Sequence, residues 1–145
     1  MITLIQRVSQ ASVTVDNLIL GEIQYGIVAL IAIEKQDTEQ TAQRLFERII
    51  NYRIFADEQG RMNRNLQAIN GGLLLIPQFT LAADTRSGNR PSFTPAADPV
   101  LGKHLFHYFV EHAQAHYPSI ETGQFGANMQ VSLINDGPVT FTLTA

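Results

Sequence analysis

The sequence has no cysteine. That removes disulfides, thiolate zinc sites and cysteine nucleophiles together, and it suits a reducing compartment. Its first residues, Met1-Ile2-Thr3-Leu4-Ile5-Gln6-Arg7, lack the basic segment and following apolar stretch of a signal peptide. Long hydrophobic runs are missing too. The longest, Ile27 to Ile33, falls far short of the roughly 20 apolar residues that span a membrane. A cytoplasmic location and no membrane partner are therefore expected. Lysine and arginine stop at Lys103, beyond which the acids Glu111, Glu121 and Asp136 stand without a basic counterpart. With a net charge of −3, the chain is a poor candidate for tight duplex binding, which usually needs a basic protein. A Gly-x-Ser-x-Gly elbow, a phosphate-binding loop and a dinucleotide glycine fingerprint are all absent. So are paired carboxylates in a plausible cleft. If the chain is an enzyme, its backbone must do much of the chemistry.

The 145 residues suffice for one domain, 1–145, with a sizeable core. No repeat, low-complexity tract or linker divides them. Ala11 to Val15 alternates, Asp16-Asn17 is a two-residue turn signal, and Leu18-Ile19-Leu20 resumes the apolar pattern, which predicts a hairpin. Ile27 to Ile33 and Leu73 to Ile76 read as buried strands. Ala42, Leu45, Phe46, Ile49 and Ile50 fall on one helical face. Asp37 or Thr38 offers the N-cap of that helix, with Gln40 the expected capping-box partner of Asp37. A second helix is expected from about Asp98 to Tyr117, with Leu105, Phe106, Phe109, Val110 and Ala113 inward. Between Ala82 and Pro99 the prolines and Gly88 predict a long loop, a common place for function. Near the end, Met129 to Ile134 and Val139 to Leu143 read as a terminal strand pair turning at Asn135-Asp136-Gly137-Pro138. The expected fold is α+β: a twisted, mostly antiparallel sheet or open barrel with two principal helices packed on it.

All four histidines, His104, His107, His112 and His116, lie on the second helix. His112 and His116 have a metal-compatible i, i+4 spacing, but Ala113 stands where a zinc protease has glutamate. A solvated or rim position is the better reading, and no metal or cofactor is expected. Arg61, Arg64, Arg86 and Arg90 against Asp84 make a small basic excess that could meet one or two phosphates.

Two stretches could carry chemistry. Pro77-Gln78-Phe79-Thr80-Leu81 ends a buried strand, where backbone N–H groups leave the ladder. Free N–H groups aimed at a carbonyl make an oxyanion hole. The alternative is a plain strand end whose threonine caps the ladder. Asn135-Asp136-Gly137-Pro138-Val139-Thr140 holds a Gly-Pro bond of the kind that can be cis, or it is a simple hairpin connection. Between them, Arg90 and Ser92 suit an anion, and Phe93 could stack on a base.

Taken together, Gln78-Phe79-Thr80-Leu81, Gly88-Asn89-Arg90-Pro91-Ser92-Phe93 and Asn135 to Thr140 resemble the D-aminoacyl-tRNA deacylase family in order and spacing. Gln6-Arg7-Val8, Ala11-Ser12-Val13, Tyr52 to Phe55 and Gly123 to Met129 are similar as well, so the resemblance runs from Met1 to about Leu143. It implies hydrolysis of the ester between a D-amino acid and the terminal adenosine of a tRNA, and of the ester of mischarged glycyl-tRNA too. It implies catalysis by Gln78, Phe79 and Thr80. It also implies a homodimer in which Gly137-Pro138, with a cis bond, walls the pocket of the other subunit. Phe79, Phe125 and Met129 are apolar candidates for contact with the adenosine. In one departure, Pro77 stands where the family usually has serine. Proline lacks an N–H, so the essential donors are expected further on, at Phe79 and Thr80. A binding module without turnover and a purely structural dimer are the competing readings.

Overall fold

The computed structural model describes residues 1–145. Strand β1 (Ile2–Val15) and strand β2 (Leu18–Ile23) form the predicted hairpin. Asp16 and Asn17 both take positive φ, 48° and 63°, as a two-residue turn that matches strand twist requires. Strand β3 (Gly26–Ala32) returns against the first half of β1. Helix α1 (Glu39–Asn51), a small hairpin of β4 (Phe55–Ala56) and β5 (Met62–Arg64), and β6 (Gly72–Pro77) follow. Helix α2 (Pro99–His116), β7 (Ile120–Thr122) and β8 (Gln130–Thr144) complete the chain.

The main sheet runs β2-β1-β3-β6-β7, with β8 on the other edge of β1. Pairings of β1 are antiparallel, as expected, but β3–β6 and β6–β7 are parallel. A helix between β3 and β6 supplies the crossover that parallel strands need. The sheet curls until β2 meets β7. There a Cβ on Gly21 would lie 3.1 Å from Glu121 Cβ and 3.2 Å from the Thr122 nitrogen. The seam can close this tightly because position 21 carries no side chain.

The continuous apolar runs are explained by burial on both faces. Ile27, Ala29, Ile31, Leu73 and Leu75 point to the helices, whereas Val28, Leu74 and Ile76 line the barrel side with Val8, Val13 and Ile23. On the helix side, Phe46 of α1 meets Phe109 of α2 edge to face at 6.2 Å. Helix α2 begins as predicted: Asp98 accepts hydrogen bonds from the N–H groups of Val100 and Leu101, and Pro99 follows it. No helix is long and apolar enough to cross a membrane.

Two expectations are corrected. The α1 capping box joins Thr38 and Thr41, not Asp37 and Gln40. Asp37 is engaged elsewhere, accepting from the Glu34 N–H at 2.7 Å and pairing with the Met1 ammonium at 2.5 Å. The second correction concerns the C-terminus, which is not a strand pair. Strand β8 runs the length of β1 without reversing, from Gln130 opposite Thr14 to Thr144 opposite Ile2. Gln6 faces Thr140 and Val8 faces Asn135, so residues 136–139 bulge out opposite Arg7 alone. Asn135 makes this possible: its side-chain amide donates to the Arg7 carbonyl at 3.0 Å and the Val139 carbonyl at 3.1 Å. Turn-forming residues here interrupt a ladder without reversing the chain.

Candidate active site

Strand β6 ends where the chain turns away from β3. The Gln78 N–H is still in the ladder, donating to the Ile31 carbonyl at 2.7 Å. Phe79–Ala82 then forms a 3₁₀ turn, with Leu81 N–H donating to the Gln78 carbonyl and Ala83 N–H to the Thr80 carbonyl. The leading N–H groups of such a turn have no partner inside it. Accordingly, the Phe79 and Thr80 N–H groups donate to no backbone oxygen. The Gln78 side-chain amide donates to Thr80 Oγ1 at 2.6 Å, which fixes that hydroxyl and leaves it an acceptor of the amide.

Gln78 and Phe79 border an open cleft of about 520 Å³, lined by Ile76 and Pro77 beside them and by Phe125, Met129 and Val131; Thr80, one residue on, is not among its lining residues. None of its lining residues is ionisable. The Phe125 ring is seated on Gly102, where a Cβ would come within 3.2 Å of it, and faces Phe106 at 6.3 Å. At the rim, Phe79 and Phe93 are both exposed and pack together with ring centroids 5.1 Å apart. The structure thus brings together Gln78, Phe79, Phe93, Phe125 and Met129.

The long loop is less free than its composition predicts. Backbone bonds between Asp84 and Ser92, at 2.7 and 3.0 Å, close it into a small hairpin. Arg86 binds the Asp84 carboxylate through two nitrogens at 2.9 and 2.6 Å. These hydrogen bonds hold the Asp84 carboxyl well below the usual carboxylate range. Arg86 is therefore occupied, and Arg90 stands exposed with no acid beside it. Ser92 shares a hydrogen bond with Thr94, hydroxyl to hydroxyl, at 3.0 Å. Arg61 and Arg64 sit apart on the β4–β5 hairpin, with Arg64 bonded to the Ala68 carbonyl. The arginines do not form one patch.

Gly137 and Pro138 are exposed, joined by a cis peptide, and absent from the lining of their own chain's cleft. Their bulge is anchored from below. Arg7 Nε lies 3.0 Å from the Asp136 carbonyl and 2.9 Å from its carboxylate, and Arg7 also donates to the Ile54 carbonyl at 2.6 Å. Tyr25 closes the cluster: burial pushes its hydroxyl up, opposed by the Arg7 charge and reinforced by Asp136. Arg7 and Asn135 stand in the motifs of the sequence, but their work as anchors is not visible there. Their sequence separation, 128 residues, hides the contact from any local pattern.

Pro77 has a local explanation. In the parallel ladder, Leu73 N–H bonds the Ser119 carbonyl and Gly123 N–H bonds the Leu75 carbonyl. The next donor in that alternation would be an N–H at position 77, aimed at the Gly123 carbonyl. Proline supplies none, and the Thr122 hydroxyl donates to that carbonyl instead, at 2.9 Å.

His104, His112 and His116 lie on the side of α2 that meets α1, and His107 lines a cavity with Phe106 and Phe125. His104 approaches Glu39 at 3.4 Å, and His116 bonds the His112 carbonyl. His112 packs edge to face on Phe46 at 5.4 Å, and burial, followed by the charge of His116, pushes its pKa down. Nowhere do three histidine or acidic side chains gather in a metal-binding arrangement.

The chain matches the D-Tyr-tRNA(Tyr) deacylase family model over residues 4–144. It is 57% identical over 143 residues to a D-aminoacyl-tRNA deacylase of Pseudoalteromonas atlantica strain T6c, covering 99% of each chain. It is 56% identical over 140 residues to a D-aminoacyl-tRNA deacylase of Pseudomonas entomophila strain L48, covering 97% of each. Among solved structures, a c-Myc DNA unwinding element binding protein superposes with a TM-score of 0.95 at 34% identity, over 100% of this chain and 99% of that one. A probable eukaryotic D-amino acid tRNA deacylase superposes with a TM-score of 0.85 at 14% identity, over 99% and 98% of the two chains. That last likeness speaks to the fold alone.

Proposed function

The chain belongs to the D-Tyr-tRNA(Tyr) deacylase family, and from that premise we propose that it hydrolyses the ester joining a D-amino acid to the terminal adenosine of a tRNA. The carrying observation is the pair of unpartnered N–H groups at Phe79 and Thr80, beside a cleft with no ionisable lining. Two preorganised donors can hold the carbonyl oxygen as it gains negative charge. Water adds to the carbonyl carbon, the bond to the ribose 3′-oxygen breaks, and the proton released by water passes to that oxygen. The neighbouring 2′-hydroxyl of the substrate is well placed to relay it. A Thr80 nucleophile is the weaker version. A threonine needs an adjacent base, none lines the cleft, and the Thr80 oxygen already accepts from Gln78.

Selectivity follows from a second subunit. Gly137-Pro138 is exposed on a braced bulge and does not reach its own cleft, so the reading assigns it to the cleft of a partner in a homodimer. A backbone wall there admits an α-carbon bearing only hydrogen on its inner side. A D-residue sends its side chain outward, while an L-residue drives it into the wall. Phe125 and Met129 flank the adenosine, Phe79 and Phe93 offer a stacking rim, and Arg90 and Ser92 face the anionic backbone. The working place is the cytoplasm, where aminoacyl-tRNA is made and used.

The test is turnover of D-Tyr-tRNA by the wild type and by Thr80→Ala. Retention of most activity by the variant supports the N–H mechanism, and complete loss with the fold intact supports the nucleophile. A folded dimer that binds D-Tyr-tRNA without turnover would return the chain to the binding-module reading.

A further inference from the structure

Pro99 is among the residues lining the cleft, and a second cavity of about 580 Å³ shares the Phe125 ring with it. It runs along α2. Lys103, His107 and Glu111 follow one another at four-residue intervals on its rim, each one turn, or about 6 Å, beyond the last. Its floor is apolar: Phe106, Val110 and Leu20. Leu20 remains 41% exposed, so the floor is open to solvent and not closed by the chain's own packing.

We propose that this cavity is a subsite for the nucleotide preceding the terminal adenosine, the cytidine of the tRNA 3′ end. The inference rests on the deacylase reading of the adjoining cleft. With its 5′-phosphate directed past Pro99, an adenosine in the cleft would carry that phosphate toward the second cavity. Lys103, one turn along, is the first cation in that direction. Beyond the phosphate, a base lying on the Phe125 edge and the apolar floor gains the stacking contact that single-stranded RNA seeks on aromatic walls. Glu111 closes the far end. Its carboxylate can accept from an exocyclic amine, the pairing by which acidic side chains recognise cytosine. Cation, apolar floor and acceptor thus occur in the order phosphate, ring and amine. His107, between them, adds a donor at the ribose-phosphate level.

The experiment compares two small D-tyrosyl esters, one of adenosine and one of the dinucleotide CpA, on wild type, Lys103→Glu and Val110→Trp. The adenosine ester fills only the cleft, and the dinucleotide also fills the subsite. Wild type is expected to show a KM for the CpA ester about tenfold lower than for the adenosine ester. Both variants should bring that ratio below about twofold, one by charge and one by filling the floor, while turnover of the adenosine ester stays unchanged. Lys103 is exposed, so its variant is expected to fold normally whatever Val110→Trp does. Equal KM values for the two esters on wild type, or an unaltered advantage in Lys103→Glu, would overturn the subsite and leave the deacylase reading standing. Hydrolysis of neither ester, nor of D-Tyr-tRNA, by wild type would overturn both.

Discussion

The side-chain oxygen of Asn135 lies 2.3 Å from the position a Cβ on Gly137 would occupy. The same amide group donates to the carbonyls of Arg7 and Val139. Gly137 is therefore glycine for want of room. Gly137→Ala must displace Asn135 and free two carbonyls from their donor. A stability loss of about 1–3 kcal/mol is expected, read as a lower urea midpoint. Asn135→Ala should reproduce most of it. If Gly137→Ala were as stable as wild type, the proposed bracing of the bulge would be wrong.

Pro77 and Thr122 make a second coupled pair. Thr122→Val removes the donor to the Gly123 carbonyl and should cost about 1 kcal/mol. Pro77→Ser restores an N–H aimed at the same carbonyl, so adding it to Thr122→Val should recover part of the loss. In the wild-type background, Pro77→Ser should change deacylation less than about threefold, since the proposed oxyanion donors are at Phe79 and Thr80. A double-mutant cycle in urea measures the coupling, and strict additivity would contradict it.

His112 is expected to make stability depend on pH. Its pKa is lowered in the folded chain, so protonation favours the unfolded state. The stabilisation is complete above the unfolded value of about 6.5 and is lost as pH falls from there through the folded value. His112→Gln should flatten the decline of the urea midpoint between about pH 7.5 and 5.5. An equally steep decline in the variant would assign the effect to other groups.

Glycyl-tRNA tests selection by clash. Glycine has no side chain to meet the proposed Gly137-Pro138 wall, so glycyl-tRNA should be hydrolysed while L-aminoacyl-tRNA persists. Equal resistance of the two would contradict selection by steric exclusion.

Much of the fold was legible in the sequence because the elements concerned are locally determined. Asp16-Asn17 takes the backbone its turn demands, Asp98 caps α2, and the apolar face of α1 is the one that packs. The strand end at Pro77-Gln78 was legible too, but the 3₁₀ turn over Phe79–Ala82 that leaves the leading N–H groups without backbone partners was not. What else escaped was settled at long range. The Asn135 to Pro138 segment carries every mark of a reversal, and only the partner strand β1, with Arg7 beneath it, keeps it straight. The parallel pairing of β3 with β6 was hidden similarly, because buried runs such as Leu73 to Ile76 do not declare the direction of their neighbours. Asp37 looked like a cap until the Met1 ammonium proved to be its partner.

Hydrolysis of D-Tyr-tRNA beside L-Tyr-tRNA, by wild type and Pro138→Ala in parallel, tests both the deacylase activity and its chiral selection. The account predicts rapid loss of the D-ester alone by wild type, and eroded discrimination in the variant as the wall recedes. Loss of both esters by wild type, or unchanged discrimination in a folded Pro138→Ala dimer, would contradict it.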